Sequence, residues 1–311
     1  MTFYQNEVAP IRFCINDEGV RGATLGYIGR IENALHNLYV AVHVDLSKIE
    51  FASAAASVLL FAVLSRANFI LGSQANIRIS LPKKDDNPNG YRWIVSTGLG
   101  RALLATSDEK LKALVQQKRY FQSSIDPELA LTTTMEMLRD KAMLSHEQET
   151  LLMMGINEAM LNVRNHAYEN ATYTEIVKRM GGKRWWQCSW FDKENDRVVF
   201  IICDLGMGIS ESYSNVKYNY TTQFILEQNQ VAEALTSGNS RYRKAGRGNG
   251  SEDIKRPVSM GKTKNEKLKV FTQNCLYEFD THSNGGRPVV TTLKPSIPGT
   301  IVYWTLSPIR G

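Results

Sequence analysis

Glu158, Asn162 and His166 stand four residues apart in the stretch GINEAMLNVRNHAY, residues 155–168. On a helix of 3.6 residues per turn, that spacing puts a carboxylate, a carboxamide and an imidazole along one face. Ile156, Met160, Leu161 and Val163 are apolar and predict that the rest of the helix packs inward. Buried polar groups need partners, so the polar stripe is expected to face a cleft that something polar fills. Taken alone, a solvated helix face explains the stripe equally well.

Three later stretches bear on that choice. The run RVVFIICD reads as a strand ending in Asp204, followed by Gly206 and Gly208. An acid at a strand end can accept a hydrogen bond while glycines let the chain turn tightly beside it. Next, Gly246, Gly248 and Gly250 alternate with Arg247 and Asn249. Glycines spaced this way free backbone N–H groups to point at an anion. The following SEDIKRPV reads as a short helix, whose N-terminus favours phosphate. No GxxxxGK[ST] loop is present, and the strand-first context of a dinucleotide fingerprint is missing. Last, Pro298-Gly299-Thr300 opens the strand IVYWTL.

The asparagine box, DxGxG, GRGNG and the late Gly-Thr, in that order, resemble the GHKL ATPase superfamily over about residues 145–308. Glu158-Ala159, Asn162 and His166-Ala167-Tyr168 are most similar to the motif of the anti-sigma-factor serine kinases. The resemblance implies ATP and Mg2+ as cofactors. It implies that Asn162 holds Mg2+ and that Glu158 orients or deprotonates the attacking nucleophile. Asp204 would accept from the adenine amino group, with Gly206 and Gly208 letting the base sit close and Thr300 supporting the contact. Gly246, Gly248 and Gly250 would wrap the phosphates, with Arg247 and Asn249 nearby. His166 fits the family position, and a packing role suits it equally. Arg241, Arg243 and Lys244 are further lid cations, each better read as solvated surface. The implied activity is hydrolysis of ATP or transfer of its γ-phosphate to a partner protein. A non-catalytic ATP-gated docking module and a nucleic-acid-dependent ATPase are the alternatives.

These residues need elements to position them. Ser145 to Gln148 fits a capping box that starts the helix carrying Glu158. RWWQCSWFD and RVVFIICDLG, joined by KEND, predict a β-hairpin. FILEQNQVAEALTSG predicts a helix closing at Gly238. For residues 126–311 the expected fold is a two-layer α/β sandwich of Bergerat type, with a largely antiparallel sheet and helices on one face. In the first half, IRFCI at 11–15 is an edge-strand pattern. YVAVHVDLS, then IEFASAAASVLLFAVLSRANFIL, then NIRISLP reads as strand, helix, strand with a parallel pair. The segment VDLSKIEFASAAASVLL resembles a STAS domain, so residues 1–125 are expected to form a smaller STAS-like α/β unit. Aligned on Phe51, the acceptor-serine position of that family is Ala55, and Ser53 is better read as a helix N-cap. Segment 106–128 reads as a helix followed by an ambiguous stretch.

The totals bound the rest. A chain of 311 residues with 43% hydrophobic and 22% charged residues has enough apolar material for a real core. No run of about 18 apolar residues is seen, so no membrane span is expected. The N-terminal MTFYQNEVAP lacks the pattern of a signal peptide. Cys14, Cys188, Cys203 and Cys275 form no CxxC pair, which predicts reduced thiols and cytoplasmic residence. The net charge of +6 would attract acidic partners. Nucleic acid is the less favoured of these, because no known binding module is present. A protein partner, STAS-type among the choices, fits the resemblance, and a homodimer is left open.

Overall fold

The computed structural model describes residues 3–72, 76–217, 227–235, 250–280 and 286–309. The first half runs β1 (Tyr4–Val8), β2 (Arg12–Phe13), α1 (Glu18–His36), β3 (Ala41–Asp45), β4 (Phe51–Ala52), α2 (Ala54–Leu71) and β5 (Ile77–Ser80). Short helical pieces follow: α3 (Pro88–Gly90), a π-helical stretch over Tyr91–Ser96, α4 (Leu99–Leu103) and α5 (Asp108–Gln116). The expected parallel pair is present, with β3 beside β5. β1 adds to the other side of β3, giving a three-stranded parallel sheet in the order β1-β3-β5. The 11–15 strand shortens to β2, which among the described residues pairs with β4 alone. Ser53 caps α2 by accepting from the Ala56 N–H at 3.4 Å.

The second half contains β6 (Phe121–Ser124), α6 (Pro127–Ala142), α7 (His146–Asn162), a π turn over Val163–Ala167 and α8 (Thr174–Arg179). Then come β7 (Trp185–Asp192), β8 (Arg197–Asp204), α9 (Gly208–Lys217), α10 (Glu227–Ala234), α11 (Gly250–Ser259), β9 (Thr263–Phe279) and β10 (Val289–Pro308). The strands form one sheet in the order β6-β7-β8-β10-β9, antiparallel at every pairing. The hairpin predicted from KEND is β7–β8. The capping box is in place: Gln148 N–H donates to Ser145 Oγ at 3.3 Å, and Ser145 N–H to Gln148 Oε1 at 2.9 Å.

One face of this sheet carries α6 and α11. The Gln187 amide donates to Thr134 Oγ1 of α6 at 2.8 Å, and Trp304 Nε1–H to the Ile254 carbonyl of α11 at 2.8 Å. Strand alternation turns Trp186, Cys188, Ile201 and Cys203 to the opposite face, and all four are buried too. There α2 lies across β7 and β8, and α1 against β10. The two-layer expectation therefore changes: helices of the first half cover the second face, because that face is as apolar as the first. Buried side chains of both halves join in one continuous core.

The composition of α2 follows from this position. By length and mean hydropathy (1.8) Ala54–Leu71 matches a membrane span, against the expectation of none. Every residue from Ala55 to Ala67 is buried within the fold, so a largely apolar helix, broken by Ser57, Ser65 and Arg66, is what its position requires.

Candidate functional site

Glu158 and Asn162 lie one turn apart on α7, and their side chains are hydrogen-bonded. Burial pushes the Glu158 carboxyl up to about 7, the nearby Asp253 carboxylate adds to the rise, and the Asn162 bond opposes it. Beyond Asn162 the helix widens into the π turn Val163–Ala167. The stripe therefore holds for Glu158 and Asn162, while half-buried His166 sits on a turn of different pitch.

That turn meets the acidic loop. The Ala167 carbonyl accepts the Met207 N–H at 2.9 Å. A Cβ on Gly206 would stand 2.0 Å from the same oxygen, so only glycine lets the DxGxG turn close on the end of α7. Gly208 has φ +79, which favours glycine for its own reason.

Asp204 ends β8 and is 7% exposed. Its Oδ1 accepts the Gly206 N–H at 2.9 Å, and the carboxylate also accepts the Thr300 N–H. Burial nonetheless raises its carboxyl to about 7, against the pull of those two donors. A carboxylate offers about four acceptor positions, so capacity remains for a ligand N–H. Thr300 pairs with Asp204 across β10 and β8, and Gly299, at φ +69, passes where a Cβ would lie 2.1 Å from the Asp204 carbonyl. The Thr300 hydroxyl is 3.3 Å from Thr272 Oγ1, which accepts the Ile209 N–H at 3.0 Å. β8, β9, β10 and the start of α9 are thus tied together around one carboxylate.

Gly246, Arg247, Gly248 and Asn249 lie outside the described residues, as do Arg241, Arg243 and Lys244. Gly250 is the first residue of α11. The seating of α11 depends on Gly155, where a Cβ would meet Pro257 Cγ at 2.7 Å and the Asp253 carbonyl at 3.2 Å. Pro257 and Asp253 flank Gly155, and Asp253 also acts on Glu158, so α11 runs antiparallel to α7. Its N-terminal end, with the positive end of the helix dipole, points the same way as Asn162.

Three contributors were not read from the sequence. Asp253 has a local signal, an acid soon after the glycine box. Thr272 and Arg66, whose guanidinium donates to the Leu205 carbonyl beside Asp204 at 3.2 Å, have none, because their roles arise only from contacts across the chain. Among the described residues no three His, Cys, Asp or Glu side chains cluster as a metal site. The donor set beside Asn162, a neutral carboxamide oxygen and one carboxylate, is all oxygen, and it fits a magnesium ion that takes its other ligands from phosphate and water. No family model, curated protein or solved structure matches the chain.

Proposed function

We propose that residues 126–311 form a GHKL-type nucleotide-binding unit that binds ATP with Mg2+ and turns it over, and that the chain serves a regulatory role through a partner protein. The observation that carries this reading is the pairing of two unlike sites at one end of α7. On one side is a buried carboxylate at the end of β8, braced by backbone N–H groups and a glycine turn. On the other is the hydrogen-bonded Glu158–Asn162 pair, with the positive end of α11 directed the same way.

Each part has a task in this reading. Asp204 accepts from the exocyclic amino group of adenine, which guanine lacks at that position. Gly206 keeps the turn thin enough for the base to approach. Asn162 Oδ1 offers one ligand position to Mg2+, which when bound neutralises charge on the triphosphate. Glu158 accepts the proton of the attacking hydroxyl or water as the new bond to the γ-phosphorus forms. The bond from that phosphorus to the β–γ bridging oxygen breaks, and ADP leaves with the electron pair. A carboxyl held near 7 suits that transfer. The STAS-type acceptor position, Ala55, is a buried alanine without a hydroxyl, which disfavours self-phosphorylation there and favours a partner protein as the acceptor.

The test is the fate of a labelled γ-phosphate on the purified chain with Mg2+. Label on protein identifies a kinase, and free phosphate an ATPase. Tight ATP binding with neither product removes turnover and leaves an ATP-gated docking module. Absence of ATP binding removes the whole reading.

A further inference from the structure

Arg66 leaves α2, in the first half of the chain, and reaches the acidic turn of the second. Its Nη1 donates to the Leu205 carbonyl at 3.2 Å, and its Nη2 donates to the Glu32 carboxylate of α1. The side chain is only 10% exposed. Leu205 is the residue directly after Asp204, and its other backbone group is held as well. The Leu205 N–H donates to the Tyr168 hydroxyl at 3.1 Å, and that hydroxyl donates to the Arg184 carbonyl at 2.7 Å. The Arg184 guanidinium in turn lies 4.6 Å over the ring of Phe69, one turn beyond Arg66 on α2. Two routes therefore run from α2 to the same dipeptide.

The direct route has a specific consequence. The Leu205 carbonyl and the Gly206 N–H belong to one rigid, planar peptide unit. Arg66 holds the carbonyl end, and the N–H end donates to Asp204 Oδ1 at 2.9 Å. Rotation of this plane would break both bonds together, so fixing one end orients the Asp204 carboxylate at the other. Arginine suits the post, since its planar fork addresses two acceptors at once where lysine offers a point charge.

We infer that Arg66, anchored by Glu32, is a positioning residue through which the first half of the chain sets the aim of the Asp204 carboxylate and hence the preference for adenine over guanine. The inference rests on the proposed nucleotide site for its functional half. Its structural half stands without it: α1 and α2 hold the acidic turn.

The test uses the full chain carrying Arg66→Gln and, separately, Glu32→Gln. Glu32 is a half-buried residue whose replacement retains the arginine but removes the carboxylate that anchors it, so it carries the test if Arg66→Gln does not fold. Without nucleotide, hydrogen exchange at the Leu205 and Gly206 amides should quicken in both variants. With Mg2+ and nucleotide, KM for ATP should rise about tenfold while kcat stays within about twofold, as expected for lost ground-state binding. The ratio of ATP to GTP utilisation should narrow by a similar factor, which general loss of stability would not produce. Unchanged exchange at 205–206 in both variants overturns the inference. Faster exchange with an unaltered ATP-to-GTP ratio overturns its functional half. Faster exchange in a chain that uses neither nucleotide overturns that half through failure of the proposed site itself.

Discussion

At the scale of single residues, the proposed site rests on two carboxyl groups with different tasks. In the proposed reading Glu158 moves a proton, so Glu158→Gln should leave ATP affinity within about threefold and cut turnover by at least about a hundredfold. Single-turnover kinetics beside a binding titration would check both halves. Asp204 makes a prediction about stability. Its folded value, about 7, lies above the ordinary 3.8. The folded state therefore binds the proton more tightly than the unfolded state. The stabilising contribution is fully present below about pH 4 and is lost as pH rises to about 7. Over pH 5 to 7 the nucleotide-free chain should lose more Tm than Asp204→Asn does, by calorimetry. Parallel Tm profiles would remove the claim that this carboxyl is strained by burial. Glu158, Asn162 and Asp204 were legible in the sequence as candidates because each sits in a short motif with its own chemical logic. The sequence could not disclose Arg66, whose partners Glu32 and Leu205 are remote from it, or Thr272, an unremarkable threonine in a long strand.

At the scale of elements, glycines decide which parts meet. Gly206 lets the acidic turn touch Ala167, and Gly155 lets α11 lie on α7. Gly206→Ala places a methyl group against a backbone oxygen that is itself hydrogen-bonded. The expected cost is about 1–3 kcal/mol of stability, with loss of ATP binding, measured by denaturant unfolding and titration. Gly155→Ala meets the Pro257 ring at 2.7 Å and the Asp253 carbonyl at 3.2 Å, both longer approaches than the 2.0 Å at Gly206, and should cost less. Caps, the β7–β8 hairpin and the β3–α2–β5 unit were legible because each obeys a local rule of spacing or turn chemistry. α1 was hidden by Gly19, Gly22, Gly26 and Gly29, which lower helix propensity and blur its apolar face. β6, with the sequence FQSS, has no strand pattern. Its burial comes from the neighbours it joins, β7 and α5. The π turn after Asn162 likewise leaves no mark that composition could reveal.

At the scale of the whole molecule, the two halves share a core across the large sheet. A helix as apolar as α2 was legible as a helix, but nothing in its own residues names the surface it covers. The face of Trp186, Cys188, Ile201 and Cys203 needs that cover. Residues 119–311, which keep β6 in the sheet, should therefore expose this face when produced alone, bind an apolar dye and aggregate. Full solubility with a cooperative transition like that of the intact chain would contradict the role given to α2. The arrangement also gives the first half a direct hold on the proposed nucleotide site through Arg66. The central claim, that the chain grips ATP between Asp204 and the Glu158–Asn162 pair with Mg2+ as the bridge, is tested most directly by calorimetric titration of the purified chain with ATP. The expected result is saturable binding at one site, strengthened by Mg2+, abolished in Asp204→Asn and made insensitive to Mg2+ in Asn162→Ala. Absence of heat at millimolar ATP, or binding that neither substitution alters, would contradict it.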